Sequence, residues 1–205
     1  MIYLNDDIAG FDLQAALPML SAQRLEQLQK FKHELGRKTC AMAYVLLRQG
    51  LEQEYGLLEP PVFNYNEHGK PYIAGHPDIH FNLSHCRAGV ICALSNRPVG
   101  IDIESVREYN DSLARYTMNE RELQLINASE HPDLTFIRLW TMKEAVLKWD
   151  GSGITNNIKD ALEGVTGIET TVNEKKGYVY SVYPGTIVRT LPSSSIESSR
   201  TFLAT

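Results

Sequence analysis

Two carboxylates stand two residues apart in Gly100-Ile101-Asp102-Ile103-Glu104. On an extended strand alternate side chains share a face, so Asp102 and Glu104 project together while Ile101 and Ile103 turn into the core. Paired acids on one face of an otherwise apolar strand repel each other unless a positive charge lies between them. A hard divalent cation such as Mg2+ meets that need, because it takes carboxylate and phosphate oxygens and keeps part of its water shell. Alone, the segment fits an edge strand with a solvated acidic face equally well. A second segment, Leu139-Trp140-Thr141-Met142-Lys143-Glu144-Ala145-Val146-Leu147-Lys148, reads as a helix. Leu139, Met142, Val146 and Trp149 make an apolar stripe for the core, while Trp140, Glu144 and Lys148, spaced by four, share a different, roughly opposite face. Alone, that face fits an ordinary Glu–Lys pair better. Together, Asp102, Glu104 and Glu144 can complete a metal site, with Lys148 neutralising phosphate oxygens beside it.

The elements that must position these groups follow from periodicity. Residues 20–55 read as helical, with Leu25, Leu28, Phe31, Leu35, Cys40, Ala43, Leu47 and Leu51 on the helical repeat, Gly36 dividing two helices and Gly56 ending the second. Strands are expected at 60–65 and 70–73 around the turn Asn66-Glu67-His68-Gly69, then at 79–83 and 89–94 with Ser84-His85-Cys86-Arg87 between them, then at 99–104. Helices over 111–129 and 133–149 follow, with a break at Gly151-Ser152-Gly153, and then strands at 168–172, 178–183, 187–191 and 201–203, the last after a serine-rich loop at 193–199. Helices followed by strands, twice over, predict an α+β protein of two similar α+β lobes in one chain, 1–98 and 99–205, with the active site in the cleft between them.

Composition narrows the class. A formal net charge of −5 argues against a general nucleic-acid binder, and no run of apolar residues is long enough for a membrane helix. The acidic start, Met1-Ile2-Tyr3-Leu4-Asn5-Asp6-Asp7, lacks the order of a secretory signal. Cys40, Cys86 and Cys92 have no metal-finger spacing and read as reduced thiols, so a cytoplasmic protein is expected.

Three motifs in order, Phe81-Asn82-Leu83-Ser84-His85, then Val99-Gly100-Ile101-Asp102-Ile103-Glu104, then Trp140-Thr141-Met142-Lys143-Glu144-Ala145-Val146-Leu147-Lys148, resemble the signature set of the 4′-phosphopantetheinyl transferase superfamily. About a hundred residues precede Asp102, which is similar to the surfactin-synthetase-activating type, with two lobes in one chain, rather than to the short trimeric holo-acyl-carrier-protein synthase type. The resemblance implies transfer of the phosphopantetheine arm of coenzyme A to a serine of an apo acyl or peptidyl carrier protein, with release of 3′,5′-adenosine bisphosphate. It implies Mg2+, or Mn2+, on Asp102, Glu104 and Glu144. Lys148 would contact the pyrophosphate, Ser84 and His85 would hold phosphates, and Lys70 in Gly69-Lys70-Pro71 would reach the nucleotide. Arg37, Lys38 and Arg48 resemble the basic positions of the first helix, and Glu120 stands where an acid assists proton removal. A monomer is implied, because the cleft of a two-lobe chain supplies the site that single-lobe relatives build between subunits. Two rivals share the same residues: another Mg2+-dependent phosphotransfer or phosphate-hydrolysing enzyme, and a module that binds coenzyme A or a carrier protein without turnover.

Overall fold

The buried strand residues divide with period two between two cores, and that division sets the architecture. The computed structural model describes residues 1–151 and 158–185. Strand β1 (Ile2–Asn5) is followed by α1 (Leu13–Ala16), a 3-10 turn, α2 (Ala22–Gln29) and α3 (Glu34–Tyr55). The short strands β2 (Phe63–Tyr65) and β3 (Pro71–Ile73) form a separate hairpin, and β4 (His80–Cys86) and β5 (Gly89–Ser95) complete a three-stranded antiparallel sheet in the order β1-β5-β4. Strand β6 (Gly100–Ser105) leads into α4 (Asp111–Thr117), α5 (Glu120–Asn127) and α6 (Pro132–Asp150), and β7 (Glu169–Asn173) and β8 (Tyr178–Tyr183) make a second antiparallel sheet, β6-β8-β7. In each sheet the first strand pairs with the last, and the last with the middle one.

Tyr3, Val90, Cys92 and Leu94 face the core shared with α3, and the intervening Ile2, Leu4, Ile91 and Ala93 pack against Ile101, Ile103, Tyr178, Tyr180 and Val182 of the second sheet. Helix α6 covers the other face of that sheet, so the order of layers is helix, sheet, sheet, helix. With cover on both faces, β5 is buried from Gly89 to Leu94 and reads as an unbroken apolar run. The edge strands β4 and β6 meet along a seam. Asn82 Oδ1 accepts from the Ile101 N–H (3.2 Å), Ser84 Oγ accepts from the Ile103 N–H (3.3 Å), and Ser105 Oγ donates to Cys86 Sγ (3.3 Å). Each link spans 19 residues, so the two strands run alongside in constant register.

Several expectations are corrected. Gly36 lies inside α3, where a Cβ would strike the Phe31 ring; the helices part at His33, the N-cap of α3. The helix expected over 111–129 is two, because Asn119 and Glu122 form a reciprocal capping box that starts α5 afresh. Strand β4 runs through Ser84, His85 and Cys86, leaving Arg87-Ala88 as a two-residue hairpin loop. On α6 the stripe Leu139, Met142, Val146 and Trp149 is mostly half-buried, whereas Glu144 is buried beside Thr141 and Ala145, so the acid faces inward. The strands expected at 187–191 and 201–203, the loop at 193–199, and Ser152 and Gly153 lie outside the described residues. Among the described residues no helix is long and apolar enough to cross a membrane.

Gly100 explains how α6 sits so low on β6. A Cβ there would run into the Ala145 carbonyl oxygen and the Trp149 backbone nitrogen. Gly100→Ala must therefore lift the helix, and overpacking of this kind costs about 1–3 kcal/mol. The expected outcome is a lowered urea midpoint at unchanged slope, read by fluorescence.

Candidate active site

Asp102 and Glu104 stand at alternate positions of β6, on the face that α6 covers, and Glu144 and Lys148 descend from α6 one turn apart. The Lys148 ammonium donates to Asp102 Oδ1 at 2.6 Å and to Ser84 Oγ at 3.1 Å, and the Ser84 hydroxyl donates to the same Oδ1 at 2.7 Å. Asp102 is 3 % exposed and Glu144 9 %. Their other oxygens, Asp102 Oδ2 and Glu144 Oε1, are buried without a hydrogen-bond partner. A buried acceptor left unpaired costs about 1–3 kcal/mol, more when charged, so two in one place mark a site that awaits a positive partner. Oxygen-only donors of this kind suit Mg2+ or Mn2+. Among the described residues no three His, Cys, Asp or Glu side chains converge as a ready-made cage, so further oxygens must come from elsewhere.

The electrostatics agree with that chemistry. Burial pushes the Glu144 carboxyl above the usual range, Lys148 pulls it down, and Asp102 and Glu104 push it up again. Glu104 is also raised, by burial and then by Asp102, against the opposing pull of Arg107, the Trp140 indole and Lys148. The three acids thus feel one another's charge. Beside them opens a cavity of about 330 Å³, lined by Glu144, Leu147 and Lys148 of α6, Asn82 and Leu83 of β4, and the 68–71 turn.

Lys70 lies at that cavity, but its ammonium donates to the carbonyls of Lys148 (2.6 Å) and Trp149 (3.0 Å), capping the end of α6. Asn66 adds a bond to the Gly151 carbonyl, 3.2 Å away. Burial lowers the Lys70 pKa, with Asp150 acting against it. His85 projects from the face of β4 opposite to Ser84, and its pKa is lowered by burial and by the Lys148 charge.

Four predicted residues are not drawn into this cluster. Arg48 clamps the carbonyls of Met19 (2.8 Å) and Leu58 (2.9 Å), Lys38 pairs with Glu34 at 3.4 Å, and Arg37 is exposed on the first turns of α3. Glu120 is exposed at the start of α5, within reach of the Arg115 charge. A different acid of α5 is the buried one. Glu122 Oε2 meets the Lys143 ammonium at 2.8 Å, and Lys143, 0 % exposed, also donates to the carbonyls of Ile158 (2.9 Å) and Lys159 (2.6 Å). Sequence reading assigned Lys143 no role, although the Asn-x-x-Glu capping box at 119–122 signalled where its partner would be held.

Comparison with known proteins gives a consistent result. Residues 98–196 match the family model of the 4′-phosphopantetheinyl transferase superfamily. A 4′-phosphopantetheinyl transferase of Bacillus subtilis is 30 % identical over 158 residues, covering 75 % of this chain and 70 % of that protein. The 4′-phosphopantetheinyl transferase Sfp of Bacillus subtilis strain 168 is 28 % identical over 194 residues, 90 % and 87 % of the two chains. The 4′-phosphopantetheinyl transferase gsp of Aneurinibacillus migulanus is 41 % identical over 95 residues, 45 % and 39 %.

Removing one partner of a buried ion pair strands the other charge. Glu122→Leu, which leaves the Lys143 ammonium without its carboxylate, is expected to cost about 3–5 kcal/mol. Thermal unfolding of the variant beside Glu120→Leu, an exposed neighbour with little effect, checks it.

Proposed function

The chain belongs to the 4′-phosphopantetheinyl transferase superfamily, and from that premise we propose that it transfers the phosphopantetheine arm of coenzyme A to a serine of an apo acyl or peptidyl carrier protein. The observation that carries this reading is the pair of buried, unpartnered oxygens, Asp102 Oδ2 and Glu144 Oε1, beside Lys148 and an adjoining cavity. Asp102, Glu104 and Glu144 would hold Mg2+, or Mn2+, whose chemistry is to offset charge on the pyrophosphate of coenzyme A. Lys148 contributes a fixed positive charge beside the reacting phosphate and stabilises the charge that develops there. The serine hydroxyl oxygen bonds to the β-phosphorus, the bond from that phosphorus to the bridging oxygen breaks, and its electron pair leaves with 3′,5′-adenosine bisphosphate. The serine proton passes to Glu144. Catalysis rests on positioning and electrostatics, since no residue of the chain becomes covalently attached.

Coenzyme A would enter along the cavity walls of β4, α6 and the 68–71 turn, with Lys70 at the margin, and His85 is close enough to Lys148 to feel its charge. Arg37, Lys38 and Arg48 lie outside this arrangement and carry at most contacts to the distal nucleotide, and exposed Glu120 has no part in the proton transfer. The matching strand order of the two sheets supports a duplicated chain of two lobes, 1–98 and 99–205; the site would lie between them, and a monomer would be the working unit.

Intact-mass spectrometry of an apo carrier protein incubated with this protein, coenzyme A and Mg2+ tests the reading. The expected result is a gain of one phosphopantetheine mass that disappears with EDTA; coenzyme A binding with no mass gain on fatty-acid and peptide carriers points instead to a module without turnover. Asp102→Asn and Glu144→Gln are each expected to keep the far-UV circular dichroism of the parent and to lower the transfer rate by about a hundredfold or more. Activity retained in both would sink the metal assignment. Lys148→Met is expected to lower the rate by about 10²–10³, measured at saturating coenzyme A.

A further inference from the structure

Beside the two unpartnered oxygens, Asp102 Oδ2 and Glu144 Oε1, a buried nitrogen also lacks a hydrogen-bond partner: the indole Nε1 of Trp140. An oxygen of a carboxylate can take a cation, but an indole N–H can only donate, so it awaits an acceptor. The run of α6 over β6 says which one. Gly100 meets the helix at Ala145 and Trp149, Asp102 stands with Glu144 and Lys148, and Glu104 is reached by the Trp140 indole, so the helix runs back along the strand. From Asp102 to Glu104 the strand advances about 6.6 Å, and from Glu144 to Trp140 the helix retreats about 6 Å. The two steps match, which sets Trp140 over Glu104 as Glu144 is set over Asp102. Packing holds the ring: Phe136, one turn earlier, stacks on it (centroids 6.3 Å apart, planes at 28°), and Tyr109 meets Phe136 edge-on at 5.8 Å. The direction of the N–H is therefore fixed.

We propose that Trp140 is a positioning residue for Glu104: its indole N–H closes onto one oxygen of the Glu104 carboxylate when a divalent cation binds, and leaves the other oxygen turned to the metal. This rests on the reading given under Proposed function. Asp102 is already clamped by the Lys148 ammonium at 2.6 Å. Glu104 is half-buried, and burial and the Asp102 charge both oppose its ionised form, which the indole favours. Partners that orient a metal ligand through a hydrogen bond commonly govern metal affinity by about 10–100-fold.

The test uses the full chain with Mn2+ as the probe, free Mn2+ being read by its electron paramagnetic resonance signal with coenzyme A present. Trp140→Phe keeps an aromatic ring on Phe136 and removes only the N–H donor and part of the ring. It is expected to weaken Mn2+ binding by about 10–100-fold and to raise the half-saturating Mg2+ of the transfer assay alike. Trp149→Phe makes the same exchange at the other tryptophan of the chain, and is expected to leave Mn2+ affinity unchanged. In that variant Trp140 is the sole indole, and ultraviolet resonance Raman reads the hydrogen bonding of its N–H directly. The expected result is a shift of the indole band to stronger hydrogen bonding when Mn2+ and coenzyme A are added. An unmoved band, or unaltered Mn2+ affinity in Trp140→Phe, overturns the proposal in favour of a packing role alone. Equal loss of Mn2+ affinity in the two variants overturns it in favour of general loosening of α6, and a parent protein that binds no Mn2+ overturns it with the metal assignment. If the parent binds Mn2+ but modifies no carrier, the transferase reading fails, and the titrations and the band still decide the role of Trp140.

Discussion

A helix can deliver an acid and an ammonium to the carboxylate of a strand only where the two backbones come close, and Gly100 sets that separation here. With no Cβ on Gly100, α6 rests against the strand at Ala145 and Trp149, and this brings Glu144 and Lys148 down to Asp102. The same helix is anchored at two lysines, half-buried Lys148 on Asp102 and buried Lys143 on Glu122. Buried ion pairs add little net stability, because desolvation offsets most of the attraction, but a wrong rotation of the helix would strand both charges. The pairs therefore select one angular setting of α6 about its axis. A chain of hydroxyls, Thr141 to Ser181 (2.9 Å) and Ser181 to Thr170 (2.8 Å), fixes the helix to the sheet beside Asp102, whose backbone partner in register is Ser181.

The face-to-face sheets serve the site in a second way. Their shared core is apolar where β1 and β5 meet β6 and β8, and turns polar along β4, where Asn82, Ser84 and Cys86 occupy the positions facing β6. That switch leaves a strip of hydrogen-bonding side chains along an edge that would otherwise present unpaired N–H groups. The polar groups of the site are thus continuous with the groups that join the two sheets, and rigidity of the seam is rigidity of the ligand set.

Much of this was legible in the residues. The alternation in Gly100-Ile101-Asp102-Ile103-Glu104 placed the acids on one face, as β6 shows, and Gly56 ends α3 in a left-handed conformation as its position foretold. The motif at 81–85 was recognised, but the direction of its side chains was not, because a strand continued to Cys86 looks locally like a turn rich in Ser, His and Arg. Helical spacing placed Trp140, Glu144 and Lys148 together but not which way they face; that depends on the close approach at Gly100, a tertiary contact with no local signature. The resemblance implied ligand contacts for Lys70, Arg48 and Lys38; in the structure Lys70 and Arg48 also bind backbone carbonyls, and Lys38 pairs with Glu34. A basic side chain and a helix or loop carbonyl attract each other whatever else is nearby, and the sequence does not reveal which carbonyls lie within reach.

The position of Lys70 has a consequence for the field inside the cavity. The peptide dipoles of a long helix leave about half a negative elementary charge at its C-terminus, and the end of α6 opens onto the same space as Lys148. Any anion arriving there would meet repulsion from the helix as well as attraction from the ammonium. Lys70, fastened to the last carbonyls, cancels the first of these and lets the second act alone. A lysine can in this way make a helix tail hospitable to polyanions, and it does so from a hairpin that belongs to neither of the two sheets.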